Sequence, residues 1–160
     1  MRIKPIFVAL LSAGAVTFAH ADINVGVLVS ATGPAASLGI PEKNTFALMP
    51  TTIAGEKVKY IVLHHASDTT TAAKHTRKLL TEDKVDVIIG STITPNSLAM
   101  VDIAAEAETP MISMAASARI VDPASAKTRW IFKTPQSDAL MADAIWYLAG
   151  QWRGRPVLSL

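Results

Sequence analysis

Cysteine is absent from the 160-residue chain. That excludes disulfides, cysteine-based zinc sites, thiol nucleophiles and a lipid-modified N-terminal cysteine. Aromatic residues are scarce at 6%, so a core has to be built from Ala, Val, Ile, Leu and Met. Charge is scarce too: 18% of residues are charged and 50% are hydrophobic, the balance of a folding chain. Nor does one sign of charge dominate. There are 15 Lys+Arg and 13 Asp+Glu, and Arg2 and Lys4 lie in a segment read below as removed, which leaves 13 of each. The basic isoelectric point is therefore no argument for a nucleic-acid partner. Beyond the N-terminus no apolar run is long enough to span a bilayer, and the length suits one ordinary domain rather than two.

The N-terminus reads as an address. Arg2 and Lys4 precede an apolar run from Ile6 to Ala19, and Ala19-His20-Ala21 is an A-x-A cleavage pattern before Asp22. This is the order of a secretory signal peptide. Fourteen helical residues cover roughly 21 Å, too little for a hydrocarbon core of about 30 Å. The expected product is exported, cleaved after Ala21 and periplasmic.

The remainder alternates strands with helices. Strands are expected at Ile23–Val29, Lys59–Leu63, Val85–Ile89, Pro110–Met114 and Trp130–Lys133. After the second, Asp68 or Thr69 caps a helix with the apolar face Ala72, Thr76, Leu79 and Leu80. After the third, Thr94 is a hydroxyl cap with Pro95 at the first helical position and the face Leu98, Val101, Ala105. After the first, Pro41-Glu42 opens a shorter helix that Pro50 stops. Ser137-Asp138 caps a last helix carrying Leu140, Ile145, Trp146 and Leu148, and residues 156–160 begin another apolar run. Uniformly hydrophobic strands with crossover helices predict a doubly wound, parallel, Rossmann-like α/β sheet.

In such sheets ligands sit outside the carboxyl ends of the strands. Three segments there are small, uncharged and hydroxyl-rich: Ser30–Gly39, Gly90–Thr94 and Ser113–Ser117. Backbone N–H groups and hydroxyls can hold a carboxylate without arginine, which suits a zwitterion or small carboxylic acid. Taken singly, each segment is also what turns and helix caps look like. The Gly33–Gly39 stretch lacks both the Gly-Lys-Ser/Thr of a phosphate loop and the G-x-G-x-x-G spacing. His64, His65 and Asp68 at the end of the second strand read as a surface pair and not a metal site, because adjacent strand residues point to opposite faces. No G-x-S-x-G elbow and no paired-carboxylate arrangement is visible. The chain is accordingly expected to be neither an enzyme nor the holder of a cofactor or metal.

The signal peptide, Val27–Gly39, Asp68 with Ala72, Val87–Gly90, Pro110–Ser113 and Phe132–Asp138, in that order, resemble the leucine/isoleucine/valine-binding family of periplasmic receptors. The resemblance implies a two-lobed protein that closes on an amino acid and delivers it to an ABC permease. It implies a ligand-binding N-terminal lobe over residues 22–136, and over 137–160 the start of a second lobe whose remainder is missing. Ligand contacts would fall on Leu38, Thr94, Ala115 and Ser117. This sequence departs from the family in having His64-His65 where many members have an Asp pair, and Met49–Gly55 where a glycine-rich turn is usual. Without the second lobe, which normally brings an acid to the ligand ammonium, residues 22–160 are expected to bind amino acids very weakly or not at all and to leave the last helix uncovered. A ligand-sensing domain of the same fold acting on a signalling partner, and an exported α/β enzyme, are the other readings.

Overall fold

The computed structural model describes residues 22–122 and 127–151. The signal-peptide reading and the apolar run at 156–160 fall outside the described residues.

Each hydrophobic run becomes a strand: β1 (Ile23–Val29), β3 (Glu56–His64), β4 (Val87–Gly90), β5 (Met111–Ser113) and β6 (Ile131–Lys133). They pair in parallel. A short strand, β2 (Thr52–Ile53), adds an antiparallel edge to β3, giving the order β2-β3-β1-β4-β5-β6. No pattern in the sequence announces β2. Its hairpin turns through Ala54 and Gly55, both at positive φ (52° and 90°). That is the conformation a two-residue hairpin needs, reached here without the usual Asn-Gly signal.

The helices are α1 (Ala36–Phe46), α2 (Thr69–Thr81), α3 (Thr94–Glu106) and α4 (Asp138–Gln151). Alternate residues of β1 feed two cores. Leu28 joins Ala72, Leu79, Met100 and Ala104 of α2 and α3 on one face. Val25, Val27 and Val29 join Phe46 of α1 on the other. The sheet is therefore doubly wound, as its uniformly apolar strands predict. Among the parallel strands alone the spatial order is second, first, third, fourth, fifth. The winding direction changes between β1 and β4, and the crevice outside their carboxyl ends is the topological switch point of such sheets.

Three local expectations need correction. Helix α1 opens at Ala36 and not at Pro41, which lies inside it. Its first turn is fixed by packing: Gly39 lies against the Ser30 backbone so closely that a Cβ would stand 2.4 Å from the carbonyl carbon. Thr94 is the first residue of α3 and not its cap. Ile93 holds the cap position without a side-chain bond. The fully buried face of α3 is Asn96, Ser97, Met100 and Ala104, with Leu98 and Val101 only partly buried against the core. Polar residues turn inward because a polar cluster receives them there. Asp68 does cap α2, accepting from the Thr71 N–H at 2.6 Å. No residue of α4 is buried; Leu140, Ile145 and Trp146 are 65%, 62% and 74% exposed.

Candidate ligand-binding rim

The loops that follow β1, β3, β4 and β5 all leave the same edge of the sheet, because these strands run parallel. The first two lean on each other. Gly33 has φ +78°, and a Cβ there would lie 2.3 Å from the Ala66 carbonyl oxygen. The Ala35 N–H donates to Ser67 Oγ at 3.1 Å. Ala66 and Ser67 both hold left-handed backbone, with φ 49° and 63°. Residues other than glycine keep that conformation only where the surroundings impose it. The turn closes through the Asp68 N–H, which donates to the His65 carbonyl at 2.7 Å.

The other two loops are tied by hydroxyls. The Ser91 N–H donates to Ser97 Oγ at 3.1 Å, and Ser97 Oγ and Ser113 Oγ are 2.8 Å apart. Across the switch point the Ser30 N–H donates to Thr92 Oγ1 at 3.0 Å, and Thr92 Oγ1–H donates to Glu42 Oε2 at 2.5 Å. The loop after β5 is held from the far side. The Ala118 N–H donates to Asp138 Oδ1 at 2.9 Å, Lys133 Nζ to the Ala116 carbonyl at 2.9 Å, and the Thr134 N–H to the Ser113 carbonyl at 3.0 Å.

A division of labour results. Ser91, Thr92, Ser97 and Ser113 are buried with their hydroxyls committed to the frame, and the buried Ser30 hydroxyl stands 3.5 Å from the His65 ring. The Thr94 and Ser117 hydroxyls are half-buried and make no hydrogen bond among the described residues. Both residues, Thr94 after β4 and Ser117 after β5, lie at the carboxyl edge of the sheet. Ala115 is buried and its N–H is taken by Ser113 Oγ at 3.1 Å, so any contact it offers comes from its carbonyl. Leu38 stands on α1 and not in the loop; it is 57% exposed.

His65 is the residue sequence reasoning misplaced. It is fully buried and not part of a surface pair. The turn at 65–68 swings its ring inward, where Ser91 Oγ lies 2.8 Å from Nε2, and Asn96 Nδ2 2.8 Å and Ser30 Oγ 3.5 Å from Nδ1. The signal was available: Ser30 and Ser91 follow the first and third long apolar runs and Asn96 lies in the first turn of α3, the polar partners a buried imidazole needs. His64 remains half-buried. No group of three or more His, Asp or Glu that could hold a metal occurs among the described residues.

Burial is the main cause that lowers the pKa of His65 and of His64 from 6.5; His75 adds to it for His65, and Lys43 and His75 for His64. Burial raises Glu42 from 4.5, partly opposed by the Thr92 hydrogen bond. The hydrogen bonds from Thr71 hold Asp68 below its ordinary range, and the Ala118 N–H is the main influence that lowers Asp138. A histidine whose folded pKa is depressed loses stability as pH falls from its unfolded value. A carboxyl whose folded pKa is raised regains stability over its own window, as pH falls back toward 4.5. Glu42→Gln removes only the second contribution. Between pH 7 and pH 4.5 the melting temperature of the variant is expected to drop further than that of the wild type. An equal or smaller drop contradicts the assignment.

A family model described as periplasmic binding protein matches residues 22–160, and the chain belongs to that family, one of binding proteins and not of enzymes. No curated protein sequence matches the chain. Among solved structures, it is similar to an extracellular ligand-binding receptor from Rhodopseudomonas palustris HaA2, with 49% identity and a TM-score of 0.79 over 82% of this chain and 37% of that one. It is also similar to a solute-binding protein of an ABC transporter from Rhodopseudomonas palustris BisB5 in complex with 3,4-dihydroxybenzoic acid. There the identity is 30% and the TM-score 0.67, over 72% of this chain and 32% of that one. The leucine-binding protein LivK of Thermotoga maritima, at 24% identity and TM-score 0.72, shares the fold over 82% of this chain and 38% of its own. The chain therefore spans about a third of the length of such receptors. No helix among the described residues is long and apolar enough to cross a membrane.

Proposed function

We propose that the chain is the ligand-gripping N-terminal lobe of an exported, periplasmic solute-binding component of an ABC transporter, and that its solute is a small carboxylic acid such as a branched-chain amino acid. The observation that carries this reading is the pair of uncommitted hydroxyls, Thr94 and Ser117, on a rim where the neighbouring hydroxyls are locked. A carboxylate at the amino end of α3 gains from the helix dipole and needs no positive side chain. The Ala115 carbonyl is an acceptor suited to an ammonium or a phenolic hydroxyl, and Leu38 offers an apolar wall. The receptor that shares 30% identity and holds a dihydroxybenzoic acid favours an aromatic acid as the second solute class. Both classes present the same carboxylate to the rim.

A second lobe would supply the opposite wall of the cleft, so this chain by itself is expected to grip at only about millimolar strength, roughly 4 kcal/mol. Amide shifts on titration with leucine, isoleucine, valine, phenylalanine and 3,4-dihydroxybenzoate read such binding directly. Saturable shifts confined to residues 30–39, 91–95 and 115–118 are expected with at least one of these acids. Thr94→Val and Ser117→Ala should each weaken it about tenfold, the loss of one charge-assisted hydrogen bond. Shifts elsewhere, or variants that bind as the wild type does, count against the site.

A further inference from the structure

The buried ring of His65 has one consistent protonation pattern. Asn96 Nδ2 lies 2.8 Å from His65 Nδ1 and 3.0 Å from the Asp68 carbonyl oxygen. A carbonyl oxygen can only accept, so this amide atom is a donor, and its two hydrogens serve both neighbours. Nδ1 is then an acceptor, and Nε2 carries the hydrogen that donates to Ser91 Oγ. Ser91 Oγ in turn accepts weakly from the Ile93 N–H at 3.4 Å. Through Nδ1 and Nε2 one neutral imidazole joins the turn after β3, the loop after β4 and the first turn of α3. The Ser30 hydroxyl at the end of β1 stands beside it.

We propose that His65 is a positioning residue whose neutral ring locks the rim, and that adding a proton to Nδ1 unlocks it. A protonated Nδ1 would face the Asn96 amide donor head-on. Turning the amide over would aim its oxygen at the Asp68 carbonyl, acceptor against acceptor. Protonation therefore breaks either the contact to α3 or the contact to the α2 cap. The titratable groups that face the ring are His64 beside it, Asp68 at the cap and His75 from α2. Of these only Asp68 favours the cation, and it is exposed. The Asn96 Oδ1 atom is buried without a partner. The lock stands on geometry alone; its effect on solute binding rests on the reading of the rim given above.

Long-range nitrogen–proton correlation spectra of the 15N-labelled chain test it, recorded from pH 8 to pH 4 beside amide-exchange protection factors. At neutral pH the ring is expected to show a protonated Nε2 and an unprotonated Nδ1. Protection at residues 91–97 should fall at least tenfold across the pH range in which the ring titrates, while protection in the middle of β1 stays constant. Asn96→Asp replaces the donor with a carboxylate, so it should move both the ring titration and the loss of protection to higher pH together. A protonated Nδ1 at neutral pH overturns the proposal. So does a ring that titrates while the rim amides keep their protection, or an Asn96→Asp variant whose ring titrates as in the wild type. If the lock behaves as described but no carboxylic acid shifts the rim amides at any pH, the solute-binding reading fails and the lock stands.

Discussion

Gly39→Ala is expected to lower the melting temperature by about 10 °C, although the position is helical and alanine ordinarily favours a helix over glycine by about 1 kcal/mol. The sign reverses because of what the added methyl meets. It would stand 2.4 Å from both the carbonyl carbon and oxygen of Ser30 and 2.8 Å from its nitrogen. These are backbone atoms at the end of the central strand, and they cannot rotate away as a side chain can. Either α1 lifts from the sheet or the loop after β1 shifts, and overpacking of that kind costs roughly 3 kcal/mol. The Ser30 N–H would also leave Thr92, so the damage reaches the switch point. Gly150→Ala is the control. It is helical as well, a methyl there meets nothing within 4 Å, and the melting temperature should hold or rise. If the two variants respond alike, helix propensity governs position 39 and the close approach to Ser30 does not.

Gly39 also shows what was legible in the sequence and what was not. The strands were legible because β-branched runs such as Val87–Ile89 leave little alternative, and the parallel winding followed from their spacing. The start of α1 was not. Locally, Pro41 is the better helix-opening signal. The earlier turn is fixed by the contact between Gly39 and the Ser30 backbone, which exists only once the helix has folded back onto the sheet. The two-residue β2 was hidden for a related reason: Thr52 and Ile53 are exposed, so no burial pattern marks them. The rim was legible as a set of hydroxyl-bearing segments. Which hydroxyls are free was not, since Thr94 and Ser91 look alike in sequence and differ in whether a buried partner such as His65 reaches them. His65 escaped because a histidine after a strand is usually wet. Its burial depends on two successive left-handed residues, Ala66 and Ser67, which no local preference announces.

Leu79→Ala and Gly26→Ala should each destabilise the protein, and together they should cost less than their sum. Leu79 is fully buried on α2. Its truncation removes apolar contact and leaves a cavity, for a loss of about 3 kcal/mol. Gly26 lies directly beneath it on β1. An added methyl would stand 2.9 Å from Leu79 Cδ1 and 3.2 Å from both Leu79 Cδ2 and Val85 Cγ2. Here the obstacle is the far end of a side chain, so the strain is smaller than at Gly39, about 1–2 kcal/mol. In the double variant the methyl introduced at position 26 enters space that the leucine has vacated, and both penalties shrink. A double-mutant cycle by urea unfolding should return a coupling of at least about 1 kcal/mol in the compensating direction. Strict additivity would mean that Gly26 is required by the strand itself and not by the leucine above it. The sheet's closeness to α2 would then need another cause. That closeness matters for the rim, because α2 carries the Asp68 cap whose carbonyl holds Asn96. A helix set further from β1 would draw the cap away from the amide it orients.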